Sequence, residues 1–279
     1  KNSPNLLHPV IQLSGNPADA IDEAITLKGP FTVETWIKLA PGIDNNDSLL
    51  GSGASGPDFN FYDSTLRVYG GSTIGDLIVA TRPMAANLWT HCAITRDENG
   101  GIKLYLDGVL DTAKSKPFKN DLVNLKVGQS NTAKGSGFQV REYRIWTRER
   151  NAEEIRSDFQ TEYPEALPQA LVLRFSGDSK NLKLRGQATI KLTDDSPKLV
   201  TPQAAKDARE KFEKYYRLAN KKGDATNGKT LFATCLACHK VSDTGGIIGP
   251  DLSGAGAMST EALLHNILTP NAQMESGYY

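Results

Sequence analysis

The sequence predicts a mainly β antiparallel sandwich over residues 1–200, followed by a small all-α unit over 222–279. Two observations carry the first part. "FTVETWIKL" (31–39) alternates strictly between two faces, and Asp107-Gly108 separates two apolar runs at hairpin spacing. A third carries the second part: from residue 204 the period lengthens to that of a helix, and short helical stretches and Gly-rich loops then surround "CLACHK" (235–240).

In chain order, the 31–39 segment places Phe31, Val33, Thr35, Ile37 and Leu39 on one side and Thr32, Glu34, Trp36 and Lys38 on the other. That pattern predicts a half-buried strand. "WTHCAITRD" (89–97) is a second strand, in which Cys92 shares a face with Ile94 and reads as a small buried hydrophobe. "IKLYLDGVLDT" (102–112) is a hairpin, because a type I′ turn needs positive φ at both central residues and Asp-Gly tolerates it. "NLKVGQS" (124–130), "FQVREYRIWT" (138–147) and "ALVLRFSG" (170–177) add strands, and many short strands between turn-forming clusters predict a two-sheet stack. Asn151 with Glu154 three residues on predicts one capped helical turn, with Ile155 and Phe159 as its apolar edge. Residues 201–221 read as a linker helix. Its acid-before-base pairs are Asp207–Lys211, Glu210–Lys214 and Glu213–Arg217, and its apolar stripe is Ala208, Phe212, Tyr215 and Ala219.

Charge narrows the partners. Lys plus Arg equals Asp plus Glu at 32 each, so no overall field draws the chain to nucleic acid or an anionic membrane. No apolar run approaches the roughly 18 residues of a spanning helix. The sequence starts at Lys1 without a basic-then-apolar leader, which reads as a processed chain or a cut one, from which any export signal is already gone. Three cysteines are too few for a disulfide framework.

Cys235, Cys238 and His239 occupy five consecutive positions. A structural zinc site needs four ligands, yet only His265 and no cysteine follows His239. A redox dithiol would want a βαβ setting, and the surroundings are helix and loop. CxxCH is the attachment signature of a c-type haem, in which two thiols add to the porphyrin vinyl groups and the adjacent imidazole reaches iron.

Both parts resemble known families. "FTVETWIKL", "LWTHCAITRDENGGIKLYLDGVL" and "FQVREYRIWTRERNAEEI" resemble, in order, the laminin-G-like, concanavalin-A-like jelly rolls. The resemblance implies the fold and leaves function open between glycan binding, protein binding and spacing. Trp36, Tyr62, Tyr69 and Trp89 are candidates for a sugar-stacking platform, and equally for ordinary strand aromatics. The resemblance also raises calcium: "IDNNDS" (43–48) and "PDFNFYD" (57–63) carry oxygen donors but also read as turns. His91 belongs to the strand pattern and is expected to be structural. No local signature of a glycosidase carboxylate pair is present.

"NGKTLFATCLACHKVSDTGGIIGPDLSGAG" resembles class I cytochromes c, of the haem-binding type found in planctomycete and verrucomicrobial multidomain proteins. The resemblance implies one covalent haem c on Cys235 and Cys238, with His239 as the proximal iron ligand. Pro250 offers its carbonyl to that imidazole and Leu252 packs on the haem, while Gly228 and Phe232 belong to a closely crossed first helix. The sixth ligand stays open. Met274 stands where the family carries an apolar residue ahead of Gly277, and Met258 and His265 are alternatives. A further alternative lies beyond Tyr279, which would make this haem domain incomplete at its C-terminus. The expected function is electron transfer in the periplasm or outside the cell rather than catalysis. A redox partner, such as a sugar or alcohol dehydrogenase, is implied by the resemblance alone. Competing readings are a carbohydrate-binding protein and a haem enzyme or gas sensor with an open sixth position.

Overall fold

Phe31–Leu39 lies inside an eight-stranded antiparallel sheet. In spatial order that sheet runs Val109–Thr112, Ile102–Leu106, Trp89–Arg96, Phe31–Leu39, Phe138–Trp146, His8–Leu13 and Thr189–Thr193. Leu171–Phe175 also pairs with Phe138–Trp146. The structure, a computed structural model, describes residues 7–53, 56–129, 133–163 and 169–268. A four-stranded sheet, Ser48–Gly51, Asp58–Tyr62, Thr65–Tyr69 and Asp76–Val79, packs against one face of the large sheet. The core between them includes Val33, Ile37, Phe59, Phe61, Leu66, Val68, Ile94, Leu104 and Val140. Cys92 belongs to this core, and burial pushes its thiol well up.

The expectation that Phe31–Leu39 is half-buried is corrected: of its nine residues only Lys38 is partly exposed. The polar side of the strand is covered by helix α1 (Ala152–Asp158) and the segment after it. Trp36 Nε1 donates to the Phe159 carbonyl at 2.8 Å, and the two rings stack with centroids 5.8 Å apart. α1 itself is set by the capping box of Asn151 and Glu154, and Ile155 is fully buried.

The hairpin forms as its letters require, with Asp107 at φ 52° and Gly108 at φ 77°. The strand expected at 124–130 falls earlier, at Leu122–Leu125. Lys126 makes a single bridge to Gly51, and Gly128 turns the chain at φ 86°.

Two compact units divide between Pro202 and Gln203. The second contains α2 (Pro202–Ala219), α3 (Ala225–Phe232), a 3-10 turn at Cys235–Ala237 and a minimal hairpin, Lys240–Val241 with Thr244–Gly245. A 3-10 turn at Ala255–Ala257 and α4 (Thr260–Leu268) follow. Asp224 caps α3 by accepting from the Thr226 and Asn227 amides.

The stripe expected on α2 is corrected. Ala208, Tyr215 and Ala219 are exposed; of the expected stripe only Phe212 is partly buried, and Ala205, outside it, is buried. Phe212 stacks on His265 of α4, with centroids 4.0 Å apart, and on Tyr216 at 5.8 Å. Of the three expected ion pairs, Glu213–Arg217 is made at 3.7 Å. Glu210 instead faces Lys206, and Asp207 accepts from Gln203. Among the described residues no helix is long and apolar enough to cross a membrane.

Candidate functional site

The 3-10 turn at Cys235–Ala237 brings the CxxCH residues together. The His239 and Cys238 amides donate to the Cys235 carbonyl at 2.9 and 3.2 Å, and both thiols are free and exposed. The chain returns through "GPDL": the Gly249 amide donates to the Cys238 carbonyl at 2.8 Å, and the Leu252 amide to the Lys240 carbonyl at 2.8 Å. This return lays the Pro250 carbonyl 2.8 Å from His239 Nδ1.

That contact fixes the tautomer. A carbonyl only accepts, so Nδ1 carries the proton and donates, and Nε2 keeps its lone pair for a metal. Two thiols and one imidazole lone pair on adjacent turns are the donor set that a c-type haem requires.

The packing of this unit fits the same group. Among its described residues only Ala205 and Leu264 are buried among the hydrophobics. Leu231, Phe232, Ile247, Ile248, Met258 and Ile267 are exposed, three of them by more than 70% (Ile247 84%, Ile248 77%, Ile267 72%). These exposed apolar side chains have the chemistry that the apolar face of a porphyrin would cover.

The remaining expected residues separate. Leu252 is half-buried. His265 spends its ring on Phe212 rather than standing free on a helix edge. Met258 is half exposed, with the Asn266 amide 3.6 Å from its sulfur. Met274 lies outside the described residues. Among the described residues a Cβ at Gly228 would meet nothing within 4 Å, so none of them makes the close helix crossing expected there.

On the first unit the four-aromatic platform is corrected. Trp36 is buried against Phe159 and His91. Tyr62 and Tyr69 do share the outer face of the four-stranded sheet, on either side of the Arg67 guanidinium, whose carbon lies 5.6 and 5.1 Å from the ring centroids. Asn60 accepts from Arg67 Nε at 2.8 Å and is itself held by Asp58, whose carboxyl is pushed up to about 6 by burial.

The calcium expectation gains no support. Among the described residues no three His, Cys, Asp or Glu side chains converge as a metal cage. The loop oxygens are already engaged: Asp47 accepts from the Ser136 and Gly137 amides, and Asp58 from Ser48 and Asn60.

A cluster not foreseen from the sequence lies under α1. Glu34, His91, Arg144 and Arg150 are all at most 1% exposed. Glu34 Oε1 accepts from Arg150 Nη1 at 2.8 Å and Trp146 Nε1 at 2.7 Å, and Arg144 Nε lies at 3.3 Å. Burial alone would raise the Glu34 carboxyl, but the two guanidiniums outweigh it and bring it down to about 2. Burial pushes His91 down to about 3, so it is neutral and structural. The only sequence signal was a carboxylate on a strand rich in apolar residues.

Residues 14–156 match the model of the concanavalin A-like lectin/glucanases superfamily. The chain belongs to that superfamily. Residues 225–277 match the cytochrome c family, so the jelly roll is followed by a cytochrome c domain, and such a domain implies covalently bound haem c and a redox partner. Among solved structures, the jelly roll is similar to a candidate carbohydrate binding protein from Bacteroides ovatus ATCC 8483. Identity is 15%, over 70% of this chain and 62% of that one, with a TM-score of 0.49. It is also similar to the native heptameric SAP-like pentraxin of Limulus polyphemus (11% identity, 67% and 96% covered, TM-score 0.48). A third is the binding domain of Paraclostridial Mosquitocidal Protein 1, at 18% identity, 54% and 43% covered, TM-score 0.42. The chain thus spans 62% and 43% of the first and third of these proteins. No curated protein is similar to the chain.

Proposed function

We propose that this chain is an exported, periplasmic electron-transfer protein with one haem c in its second unit. Cys235 and Cys238 hold the haem by thioethers, His239 Nε2 is the proximal iron ligand, and Leu252 packs against the macrocycle. The observation that carries this reading is the Nδ1–H···O=C bond from His239 to Pro250, which aims a lone pair from the same turn that presents two free thiols. When bound, the haem supplies one-electron cycling between Fe(III) and Fe(II). The chain's own residues would set the imidazole's basicity through the bond from His239 to the Pro250 carbonyl. The domains of this reading are a jelly roll over residues 1–200, a linker helix over 201–221 and a haem domain over 222–279; the division into compact units between Pro202 and Gln203 supports the first boundary, and the Phe212–His265 stack ties the linker helix to the haem domain. Met274 is a candidate sixth ligand, and a sugar or alcohol dehydrogenase is the proposed electron donor.

The test is a reduced pyridine haemochrome spectrum with acid–acetone extraction. The pigment should stay with the protein and show a low-spin α band. Release into solvent would end the covalent reading, and a high-spin spectrum that binds CO would favour a sensor or enzyme.

A second reading, glycan binding by the jelly roll, is favoured by the Tyr62–Arg67–Tyr69 row, in which two aromatic rings flank a guanidinium and Tyr62 is exposed. Binding on a glycan array that disappears in Arg67→Ala would support it. An array without signal would count against it.

A further inference from the structure

We propose that Gly249 is the positioning residue that sets the orientation of the His239 imidazole; this rests on the reading of His239 as the iron ligand. A Cβ at position 249 would lie 2.6 Å from His239 Cε1, 2.7 Å from Nδ1 and 3.0 Å from Nε2. All three atoms belong to one edge of the ring, so the bare Cα lies against the imidazole itself. The backbone does not ask for glycine here. Gly249 is not among the positive-φ residues, unlike Gly245 at φ 114° in the same loop. The His239 ring is therefore what a side chain at 249 would meet first.

The same dipeptide holds the imidazole twice. Gly249 packs against it, and the carbonyl of the next residue, Pro250, accepts its Nδ1–H at 2.8 Å. The Gly249 amide in turn is tied to the Cys238 carbonyl, one residue before the histidine, at 2.8 Å. Neither contact can change without the other. A methyl at 249 must rotate the ring or push residues 249–250 away, and either movement lengthens the bond to Pro250. A weaker hydrogen bond makes the imidazole a poorer electron donor, which stabilises Fe(III) less and raises the reduction potential.

Two glycines downstream give an internal control. A Cβ at Gly254 or Gly256 would meet nothing within 4 Å, so Gly254→Ala carries the same chemical change without the contact.

The experiment compares wild-type, Gly249→Ala and Gly254→Ala holoproteins by spectroelectrochemistry and by electron paramagnetic resonance of the oxidised form. Gly249→Ala should raise the potential and alter the g-anisotropy, while Gly254→Ala should match wild type in both. Gly249→Ala indistinguishable from wild type would overturn the proposal. Should Gly249→Ala yield no holoprotein, proton NMR of the reduced wild-type protein decides. A Gly249 α-proton shifted upfield, with cross-peaks to His239 Hε1, is expected, and its absence would refute the contact. Failure of the underlying reading looks different, because wild type itself would then lack a haem spectrum.

Discussion

Replacing Glu34 by glutamine should be the most damaging single-charge change in the jelly roll. The ion pairs of the buried cluster join Glu34 to Arg144 and Arg150, and Arg150 to Asp158; buried Glu142 also faces Arg144 but is paired with Arg174. His91 adds no charge at neutral pH, since burial holds it at about 3. Asp158 stays with Arg150 at 2.6 Å, so Glu34→Gln leaves Arg144 as the uncompensated guanidinium. Arg144 keeps the carbonyls of Thr161 at 3.2 Å and Asp158 at 3.4 Å and the face of the Tyr163 ring at 5.2 Å, with no carboxylate bound to it directly. Breaking a buried pair from one side costs about 3–5 kcal/mol. The depression of the Glu34 carboxyl from 4.5 to about 2 gives an independent figure of about 3 kcal/mol. For a unit of this size the loss corresponds to a fall in Tm of roughly 6–20 °C.

The assay is urea unfolding followed by tryptophan fluorescence, which reports this unit because Trp36, Trp89 and Trp146 all lie in it. The pH dependence supplies the sign. Glu34 binds a proton more weakly when folded, so its stabilisation is present above about pH 4.5 and lost as pH falls through about 2. Wild type should lose stability across that window and Glu34→Gln should lack that share of the slope. A midpoint change equivalent to less than about 0.5 kcal/mol, the range of ordinary surface substitutions, would refute the reasoning.

Other outcomes follow from the same contacts. Cys235→Ser should leave haem on one thioether with a red-shifted haemochrome band, and the Cys235→Ser/Cys238→Ser pair should release haem to acid–acetone. His265→Phe preserves the Phe212 stack and should leave the visible spectrum unchanged, whereas a lost low-spin band would make His265 an iron ligand. His91 ring protons should show no titration between pH 8 and 4 by NMR, and a midpoint near 6.5 would place the ring in water. Gly108→Ala combines a φ of 77° with a Cβ 2.9 Å from Phe159 Cδ1, and should cost about 1–3 kcal/mol. Gly29→Ala, with positive φ but open space around it, should cost less.

The jelly roll's hairpin, its capped helix and the CxxCH turn were legible in the sequence because each is decided by neighbours a few residues apart. Asp107-Gly108 needs only its own φ angles, and Asn151 needs only Glu154. The phase of the strands was less legible. Straight alternation in "FQVREYRIW" would put Phe138, Val140, Glu142 and Arg144 on one face. Instead Glu142 adopts φ 54° in a bulge, and the core receives Phe138, Val140, Tyr143 and Ile145 while Arg144 turns toward Glu34. Nothing local distinguishes that outcome, because the bulge is held by Arg174 and the Tyr163 amide, which bind Glu142 from elsewhere in the chain. The burial of Trp36 and Glu34 was hidden for the same reason, since alternation says which residues share a face but not what covers it. In the haem domain the sequence determined the donor set, Cys235, Cys238 and His239. Only the tertiary structure decided which way the imidazole faces, because that depends on a carbonyl and a bare Cα returning from ten and eleven residues away to meet one ring.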